Sequence, residues 1–369
     1  MRRSCSHRRR MAGAARIVAG LVAAGAILAT LAACSSEGSG SAGSSAGGGE
    51  ERVVRLVTYD GYALPEQAAA AFRKKTGAKI EVVANGDAGT MLTRALLAAG
   101  APEGDVLFGV DNTLATRAAT GGLLEAFTPS AIGSVEQSSR LPGAMGKVLT
   151  PIDRGDVCIN VDASWFAEHA TPPPTSLEQL TEPVYRDLLV VPSPVTSSPG
   201  LAFLIGTIQA RGDRWPDYWK ALKDNGVRVR PSWDDAYNTD YTVSGGDRPL
   251  VVSYASSPPA EVLGSDGRRS EPVSTIMADS CVSQVEYAGV LAGAEHPDLA
   301  RQLVEFMLTP TWQEALPLSN YVLPIVAGTT LPPEFQKWAV VPETPRTIDP
   351  VEIGRNRDRW IEQWRSIME

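Results

Sequence analysis

The sequence predicts an α/β fold in which strands and helices alternate along the chain. Residues 53–110 give the order β-α-β-α-β, which is typical of a parallel, doubly wound sheet. The 369 residues are enough for about two domains of ordinary size. Hydrophobic residues make up 43% of the chain and charged residues 21%, which excludes a mostly disordered or collagen-like protein.

Local signals place the elements of the first half. Runs rich in β-branched residues predict three strands, at 53–59, 79–84 and 105–110. A helix is predicted over 65–75, because Pro65 suits its first turn and Gly77 follows its last. Asp87 is predicted to cap a second helix that ends near residue 97.

The second half continues the alternation. Further strands are predicted at 155–161, 188–191 and 249–254, and helices at 198–210, 297–308 and 350–368. Apolar residues follow helical spacing in the segment 297–308, and Trp360 and Trp364 lie on the last helix. No internal repeat is visible.

The first 33 residues predict export from the cytoplasm. This segment contains six arginines and no acidic residue, and 17–33 is apolar and uncharged. Such a segment is a secretory signal, and its end, Leu31-Ala32-Ala33-Cys34, resembles the bacterial lipobox. Cys34 would then be lipidated and become the first mature residue. A transmembrane anchor is the alternative, although the apolar run is short for a span of about 20 residues.

The segment after Cys34 predicts a flexible tether. Residues 35–49 consist of Ser, Gly and Ala with a single Glu, and they cannot form a packed core. We therefore assign 1–33 to the signal, 34–51 to the anchor and tether, and the remainder to the folded protein, on the outer face of the cytoplasmic membrane. Loss of 1–33 changes the net charge from −8 to −14, which argues against nucleic acid as a partner.

The folded part retains two cysteines, Cys158 and Cys281. In an oxidising compartment a disulfide between them is the simplest interpretation. Two buried free thiols, or a reactive nucleophile at one position, are the alternatives.

Polar and aromatic residues follow the predicted strands repeatedly. Ligands of open α/β sheets bind outside the carboxyl ends of the strands. The residues expected at such a cleft are Tyr59, Asp87, Ala88, Asp111, Ser197, Ser198, Trp233, Tyr254, Ala255, Ser256, Ser257 and Tyr321. Aromatic faces together with carboxylates favour a flat, cationic ligand, and the helix start at Ser198 favours an anion or a hydroxyl oxygen.

Motifs of catalysis and metal binding are missing from the sequence. It contains no G-x-S-x-G, P-loop, H-E-x-x-H or zinc-type cysteine pair. His169 and His296 lie in predicted surface loops. We therefore expect neither an enzyme nor a bound cofactor or metal.

Nine segments carry a resemblance to the thiamine-binding solute receptors of ABC importers, within the periplasmic binding proteins. They are VTYDGY (57–62), DAGTMLTRALL (87–97), DVLFGVDNTL (105–114), PIDRGDVCINVD (151–162), TSSPGLAFL (196–204), VRPSWDDAY (229–237), VVSYASSP (251–258), FMLTPTWQEALP (306–317) and SNYVLP (319–324). They span most of 53–369.

The resemblance implies a type II-like fold of two lobes joined by two hinge crossings. Lobe 1 would comprise 52–152 and 283–369, and lobe 2 would comprise 153–282. A monomer would bind thiamine or thiamine phosphate between the lobes and deliver it to an ABC permease.

The resemblance also assigns roles to site residues. Asp87 and Ala88 match the family's ligand-contacting turn, and Trp233 matches a ring-stacking aromatic. Ser197 and Ser198 match a hydroxyl or phosphate contact, and residues 254–257 match a contact run.

The chain departs from the family pattern at three places. Residues 154–157 (RGDV) stand where the family tends to be aromatic, Ala260 stands where a Tyr is expected, and Tyr321 replaces a frequent Trp. The family surrounds its ligand with aromatic rings, and these changes would remove one of those rings from the site of this chain.

Two other functions are alternatives. A receptor for ferric iron or a polyamine is one, with Tyr237 and Tyr241 as candidate iron ligands. A thiamine-cleaving enzyme with Cys158 as nucleophile is the other, and a Cys158–Cys281 disulfide would exclude it.

Overall fold

The computed structural model describes residues 51–347 and 349–369, so the predicted signal, Cys34 and most of the tether lie outside the described residues. The strands are β1 (Arg52–Thr58), β2 (Ala78–Ala84), β3 (Val106–Asp111), β4 (Thr150–Arg154), β5 (Val157–Asp162), β6 (Leu189–Pro192), β7 (Arg228–Arg230), β8 (Leu250–Tyr254), β9 (Ser274–Val282), β10 (Val285–Val290) and β11 (Leu323–Pro324).

Twelve α-helices occur in the described residues. They are α1 (Glu66–Thr76), α2 (Ala88–Leu97), α3 (Ala115–Thr120), α4 (Ala163–Glu168), α5 (Ser198–Arg211), α6 (Trp215–Asp224), α7 (Ser257–Leu263), α8 (Pro297–Met307), α9 (Pro310–Gln313), α10 (Leu316–Ser319), α11 (Pro333–Trp338) and α12 (Pro350–Met368). None of the helices described is long and apolar enough to cross a membrane.

The strands form two sheets, and each sheet with its helices is a lobe. Lobe 1 contains six strands in the order β11-β4-β10-β3-β1-β2, and lobe 2 contains five in the order β7-β6-β8-β5-β9. The predicted α/β class is confirmed. Lobe 1 buries Phe72 and Trp312 beneath its helices, and lobe 2 buries Phe203 and Trp219.

The sheets are mixed, whereas the sequence predicts parallel sheets. In lobe 1 the strands β1, β2 and β3 are parallel, but β10 is antiparallel to both β3 and β4. In lobe 2 the strand β5 is antiparallel to both β8 and β9. The reason is that β5 and β10 each enter a sheet directly from a strand of the other lobe, without the crossover helix that a parallel connection needs.

Two short connections join the lobes. The chain leaves lobe 1 after β4 and enters lobe 2 at β5, and it returns between β9 and β10. Each connection has two residues, 155–156 and 283–284.

The chain contacts lobe 2 again after β11, which the predicted division does not include. The N–H of Arg346 donates to Cys281 O at 2.9 Å, and Ser283 N–H donates to Arg346 O at 2.8 Å. Helix α12 then packs against α6 of lobe 2 and α3 of lobe 1. Trp364 of α12 meets Trp219 of α6 edge to face, with ring centroids 5.7 Å apart.

Cys158 of β5 and Cys281 of β9 form a disulfide inside lobe 2. Both residues are almost wholly buried. Neither sulfur is a free thiolate in this bonded form, so the chemistry required of a nucleophile at Cys158 is not available here.

Candidate functional site

A cavity of about 1400 Å³ lies between the two lobes. Lobe 1 contributes the ends of β1 and β4, the start of α2 and the segment around Tyr321. Lobe 2 contributes the segment 231–238, the end of β8 and helix α7. The segments after β1, β2, β6 and β8 that the sequence singles out therefore converge on one cavity, whereas the end of β3 does not.

Nine of the twelve predicted ligand-binding residues line this cavity: Tyr59, Asp87, Ala88, Ser198, Trp233, Tyr254, Ser256, Ser257 and Tyr321. Three do not line it. Asp111 is wholly buried, and its Oδ1 accepts hydrogen bonds from the backbone N–H groups of Thr113 and Leu114. Ser197 is buried at the cap of α5, and Ala255 packs against the disulfide.

Asp87 links the two lobes. It caps α2 as predicted, since Oδ1 accepts a hydrogen bond from Ala88 N–H at 2.6 Å. Its other oxygen, Oδ2, accepts one from the backbone N–H of Trp233 in lobe 2 at 2.8 Å. Burial raises the pKa of Asp87, and the two N–H donors oppose that rise by stabilising the carboxylate.

Backbone hydrogen bonds join the lobes beside Asp87. Gly89 N–H and Thr90 N–H both donate to the carbonyl oxygen of Thr196, at 2.9 and 3.2 Å. A Cβ atom on Gly89 would lie only 2.6 Å from that oxygen. Glycine is therefore required for the lobes to approach this closely.

The lobe 2 wall is aromatic. The ring of Trp233 stacks on Tyr237 with centroids 5.0 Å apart and planes 14° apart, and its Nε1 donates to Ser253 Oγ at 3.0 Å. Tyr254 lies 6.0 Å from Trp233, tilted by 50°. These contacts fix three aromatic side chains on one side of the cavity.

The lobe 1 wall carries Tyr59 and Tyr321. The ring of Tyr59 lies over Gly109, whose positive φ of 94° and missing side chain make the room, and its hydroxyl donates to Glu286 Oε2 at 3.2 Å. Tyr321 has a φ of 57°, which is strained for a residue other than glycine. Its hydroxyl lies opposite Gly264 of lobe 2.

Two buried carboxyl groups that sequence reasoning missed lie where Tyr59 meets the hinge strands. Asp153 of β4 and Glu286 of β10 are direct partners in the antiparallel ladder, and both line the cavity. Only 1% of Asp153 and 5% of Glu286 is exposed. Burial raises the pKa of both groups well above the ordinary range, and the nearby Asp153 raises that of Glu286 further.

Carboxyl groups dominate the charge of the cavity. Seven acidic residues line it, namely Asp60, Asp87, Asp153, Asp234, Asp235, Glu261 and Glu286. The cationic side chains along the same wall are Arg268 and Arg269. Arg269 Nη1 lies 3.8 Å from Glu261 Oε2, which partly neutralises that pair. The remainder of the cavity favours a positively charged ligand.

The tyrosines considered for iron do not converge on the cavity. Tyr237 lines it, but Tyr241 is wholly buried in the core of lobe 2, and their rings are 5.4 Å apart. Within the described residues, no group of three or more His, Cys, Asp and Glu side chains is arranged to hold a metal ion.

The two lobes, the two short connections between them and the cavity that they enclose are typical of an extracellular solute-binding protein. The sequence profile of the bacterial extracellular solute-binding proteins matches residues 103–346. The match covers more than half of the chain, and the chain therefore belongs to this family.

Particular relatives are similar over most of the chain. A thiamine-binding periplasmic protein of Escherichia coli K12 is 29% identical over 85% of this chain and 92% of its own length. One of Brucella melitensis is 28% identical over 79% of this chain and 84% of its own.

Solved structures of periplasmic binding proteins have the same fold as this chain. A periplasmic thiamin binding protein superposes with a TM-score of 0.76 at 27% identity, covering 86% of this chain and 96% of its own. Iron-bound HitA from Pseudomonas aeruginosa gives a TM-score of 0.68 at 22% identity, over 86% and 99% of the two chains, which supports the fold alone.

Proposed function

We propose that this protein is an extracytoplasmic receptor that binds thiamine or a thiamine phosphate between its lobes and delivers it to an ABC permease. Thiamine contains two flat aromatic rings joined by a methylene group, and one of them is a permanently cationic thiazolium ring. Stacked aromatic rings and an excess of carboxylates are the groups that bind such a cation. The names and coverage of the similar proteins support the same ligand.

The observation that carries the proposal is the position of Asp87 and Trp233 on opposite lobes of one cavity. Asp87 supplies a carboxylate from lobe 1 and Trp233 a ring from lobe 2, and a hydrogen bond joins them. A ligand held by both residues stabilises the closed arrangement of the lobes, and that closed form is the signal to a permease.

The proposal includes the predicted organisation of the chain. Cleavage before Cys34 and its lipidation would anchor a monomer to the outer face of the membrane, with 34–51 as the tether. Lobe 1 would comprise 52–154 with most of 285–369, and lobe 2 would comprise 157–282, so that the predicted boundaries move to the ends of the hinge strands. The connections at 155–156 and 283–284 would act as the hinge.

A receptor without enzymatic activity accounts for the site better than a thiamine-cleaving enzyme. Cleavage at Cys158 requires a thiolate beside the ligand. Cys158 is bonded to Cys281, is fully buried and does not line the cavity.

Titration of the purified protein with thiamine tests the proposal, with binding detected by calorimetry and by tryptophan fluorescence. We expect binding at micromolar or lower concentration, with quenching of the Trp233 emission. The variant Trp233→Ala loses a stacking face and should weaken binding by about 1–3 kcal/mol. Trp338→Ala is the control, because Trp338 lies on α11 and does not line the cavity.

Three ligands distinguish a thiamine receptor from a polyamine receptor in this titration. Thiamine, thiamine monophosphate and a polyamine are compared under the same conditions. Binding of the polyamine alone, or an affinity for thiamine that Trp233→Ala leaves unchanged, would contradict the proposed site.

A further inference from the structure

Asp153 and Glu286 are unusual among the cavity residues because they lie at the hinge. Asp153 is two residues before the first crossing, and Glu286 is two residues after the second. Their strands β4 and β10 are neighbours in the lobe 1 sheet, and the two residues are paired across them. Any group that contacts this pair therefore contacts the point about which the lobes move.

The pair lacks the partners that buried carboxylates normally have. In the described ranges, neither carboxylate oxygen of Asp153 has a hydrogen-bond partner, although both are fully buried. Glu286 accepts a hydrogen bond from the hydroxyl of Tyr59. Neither carboxyl group forms a salt bridge within the described residues.

The titratable groups around the pair are acidic or neutral. Tyr59 and Tyr62 face it from the end of β1 and the loop that follows, Asp111 from β3, Asp87 from the start of α2 and Tyr254 from β8. Ionising both of these adjacent buried carboxyl groups would carry a large free-energy penalty, because the two negative charges repel each other and neither is paired with a cation among the residues described. The empty site is therefore expected to hold at least one proton on the pair.

We propose that Asp153 and Glu286 form the subsite for the positive charge of the ligand, and that they release a shared proton to solvent when a cationic ligand enters. The ligand then replaces the proton as the positive charge beside the carboxylates, so the net charge of the site is conserved. No covalent bond is made or broken, and bulk water accepts the proton. This inference rests on the proposed function, because it assumes that the ligand is a cation.

Proton release makes affinity depend on pH in a definite direction. The pair binds more protons in the empty protein than in the complex, so raising the pH favours the complex. Affinity should increase with pH by at most about tenfold per unit while the pair is protonated. It should level off above the range in which the empty pair ionises.

Calorimetry of the purified protein tests the inference. Thiamine is titrated at one pH in two buffers that differ in ionisation enthalpy, and the difference in observed heat gives the number of protons released. The series is repeated from about pH 6 to about pH 8, and the proton count is compared between pH values. We expect release of up to one proton per thiamine, and a dissociation constant that falls as the pH rises.

Substitutions assign the released proton to the pair. Asp153→Asn and Glu286→Gln keep the shape of each side chain but remove one ionisable group. Each should weaken thiamine binding at least tenfold, abolish most of the proton release and flatten the pH dependence. Asp213→Asn is the control, because Asp213 is exposed to solvent and does not line the cavity. It should leave the proton count unchanged.

Infrared difference spectroscopy of the wild-type protein gives a second readout that needs no variant to fold. The C=O band of a protonated carboxyl group should be present in the empty protein and disappear when thiamine is added.

The outcomes separate this inference from the proposed function. Thiamine binding without proton release, at an affinity independent of pH, would overturn the inference and leave the receptor function standing. Absence of thiamine binding would overturn the proposed function and this inference with it.

Discussion

Asp87 shows how one side chain serves both folding and the site. One carboxylate oxygen caps α2 and the other accepts a hydrogen bond from Trp233, which is 146 residues away in the chain. The capping role can be predicted from sequence, because Asp before a helical segment has local partners. The second contact depends on how the lobes close, and no local pattern contains it.

Asp111 is predicted to make the protein less stable as the pH rises. Burial raises the pKa of this carboxyl group from 3.8 to about 6, so the folded state binds a proton more tightly than the unfolded state. Its contribution to stability is full below about pH 4 and is lost as the pH rises through about 6. The loss corresponds to about 3 kcal/mol of unfolding free energy.

The variant Asp111→Asn removes this dependence. Urea unfolding of the ligand-free protein at several pH values between about 4 and 7 should show a flatter profile for the variant than for the wild type. Asp213→Asn is the control, because Asp213 is exposed and its profile should follow the wild type. Identical slopes for Asp111→Asn and the wild type would show that Asp111 ionises normally.

The carboxyl pair at the hinge marks the limit of residue-level prediction. Asp153 and Glu286 are 133 positions apart in sequence and come together only because β4 pairs with β10. Each is a single acidic residue within a strand, where a solvent-exposed position is the ordinary interpretation. Both strands are buried almost along their whole length, so no alternation in either sequence distinguishes a buried acidic residue from an exposed one.

At the scale of elements, α2 and the loop before α5 bring the lobes together. The first turn of α2 approaches Thr196 closely enough for two backbone hydrogen bonds. Gly89 therefore acts through the absence of a side chain, at a helical position where glycine is otherwise unfavourable.

The variant Gly89→Ala is predicted to separate ligand affinity from stability. An added Cβ would lie 2.6 Å from Thr196 O and keep the lobes apart at this point, so thiamine affinity should fall at least tenfold. The stability of the ligand-free protein should stay the same or rise by about 0.5–1 kcal/mol, because Ala favours helix α2.

Calorimetry, urea unfolding and small-angle scattering measure these two effects and the degree of lobe closure. Gly133→Ala is the control, since a Cβ at Gly133 meets no atom within 4 Å. Wild-type affinity in Gly89→Ala would mean that closure at this contact is not needed for binding.

Most helices and strands in the first half of the chain lie within a residue or two of their predicted ranges. In the second half, the long helices do the same. The predicted helix at 350–368 has the bounds of α12, and that at 297–308 differs from α8 by one residue. The strands β4, β7, β9, β10 and β11 were not predicted. Their sequences are short or mixed in character, and their pairing partners are distant in the chain.

At the scale of the whole molecule, the proposed lipid anchor at Cys34 would decide where the receptor works. We predict that Cys34→Ser abolishes lipidation and moves the protein from the membrane fraction to the soluble extracytoplasmic fraction. Cys5→Ser is the matched control, because Cys5 lies within the predicted signal at 1–33. It should leave the protein anchored.

Fractionation followed by mass spectrometry of the mature N-terminus measures this outcome. Retention of Cys34→Ser in the membrane at the wild-type level, with residues 1–33 still attached, would favour the alternative of a transmembrane anchor.

The segment after β11 connects the two lobes in addition to the two hinge crossings. Arg346 bonds to the backbone of β9, and α12 contacts both lobes through α3 and α6. Lys223 of α6 donates to Ile367 O, and Thr116 of α3 donates to Pro350 O. The relative movement of the lobes must therefore be accommodated by α12 as well as by the residues between the sheets.

The sequence by itself determined the α/β class, the exported type of protein and the strand ends that could carry a cationic ligand. Those features depend on local composition, hydrophobic spacing and capping residues, which act over a few positions. The tertiary structure alone decided the strand directions, the pairing of Asp153 with Glu286 and the contact of Gly89 with Thr196. These depend on residues that are distant in sequence and meet only when the two lobes have formed, so burial and pairing there are properties of the complete fold.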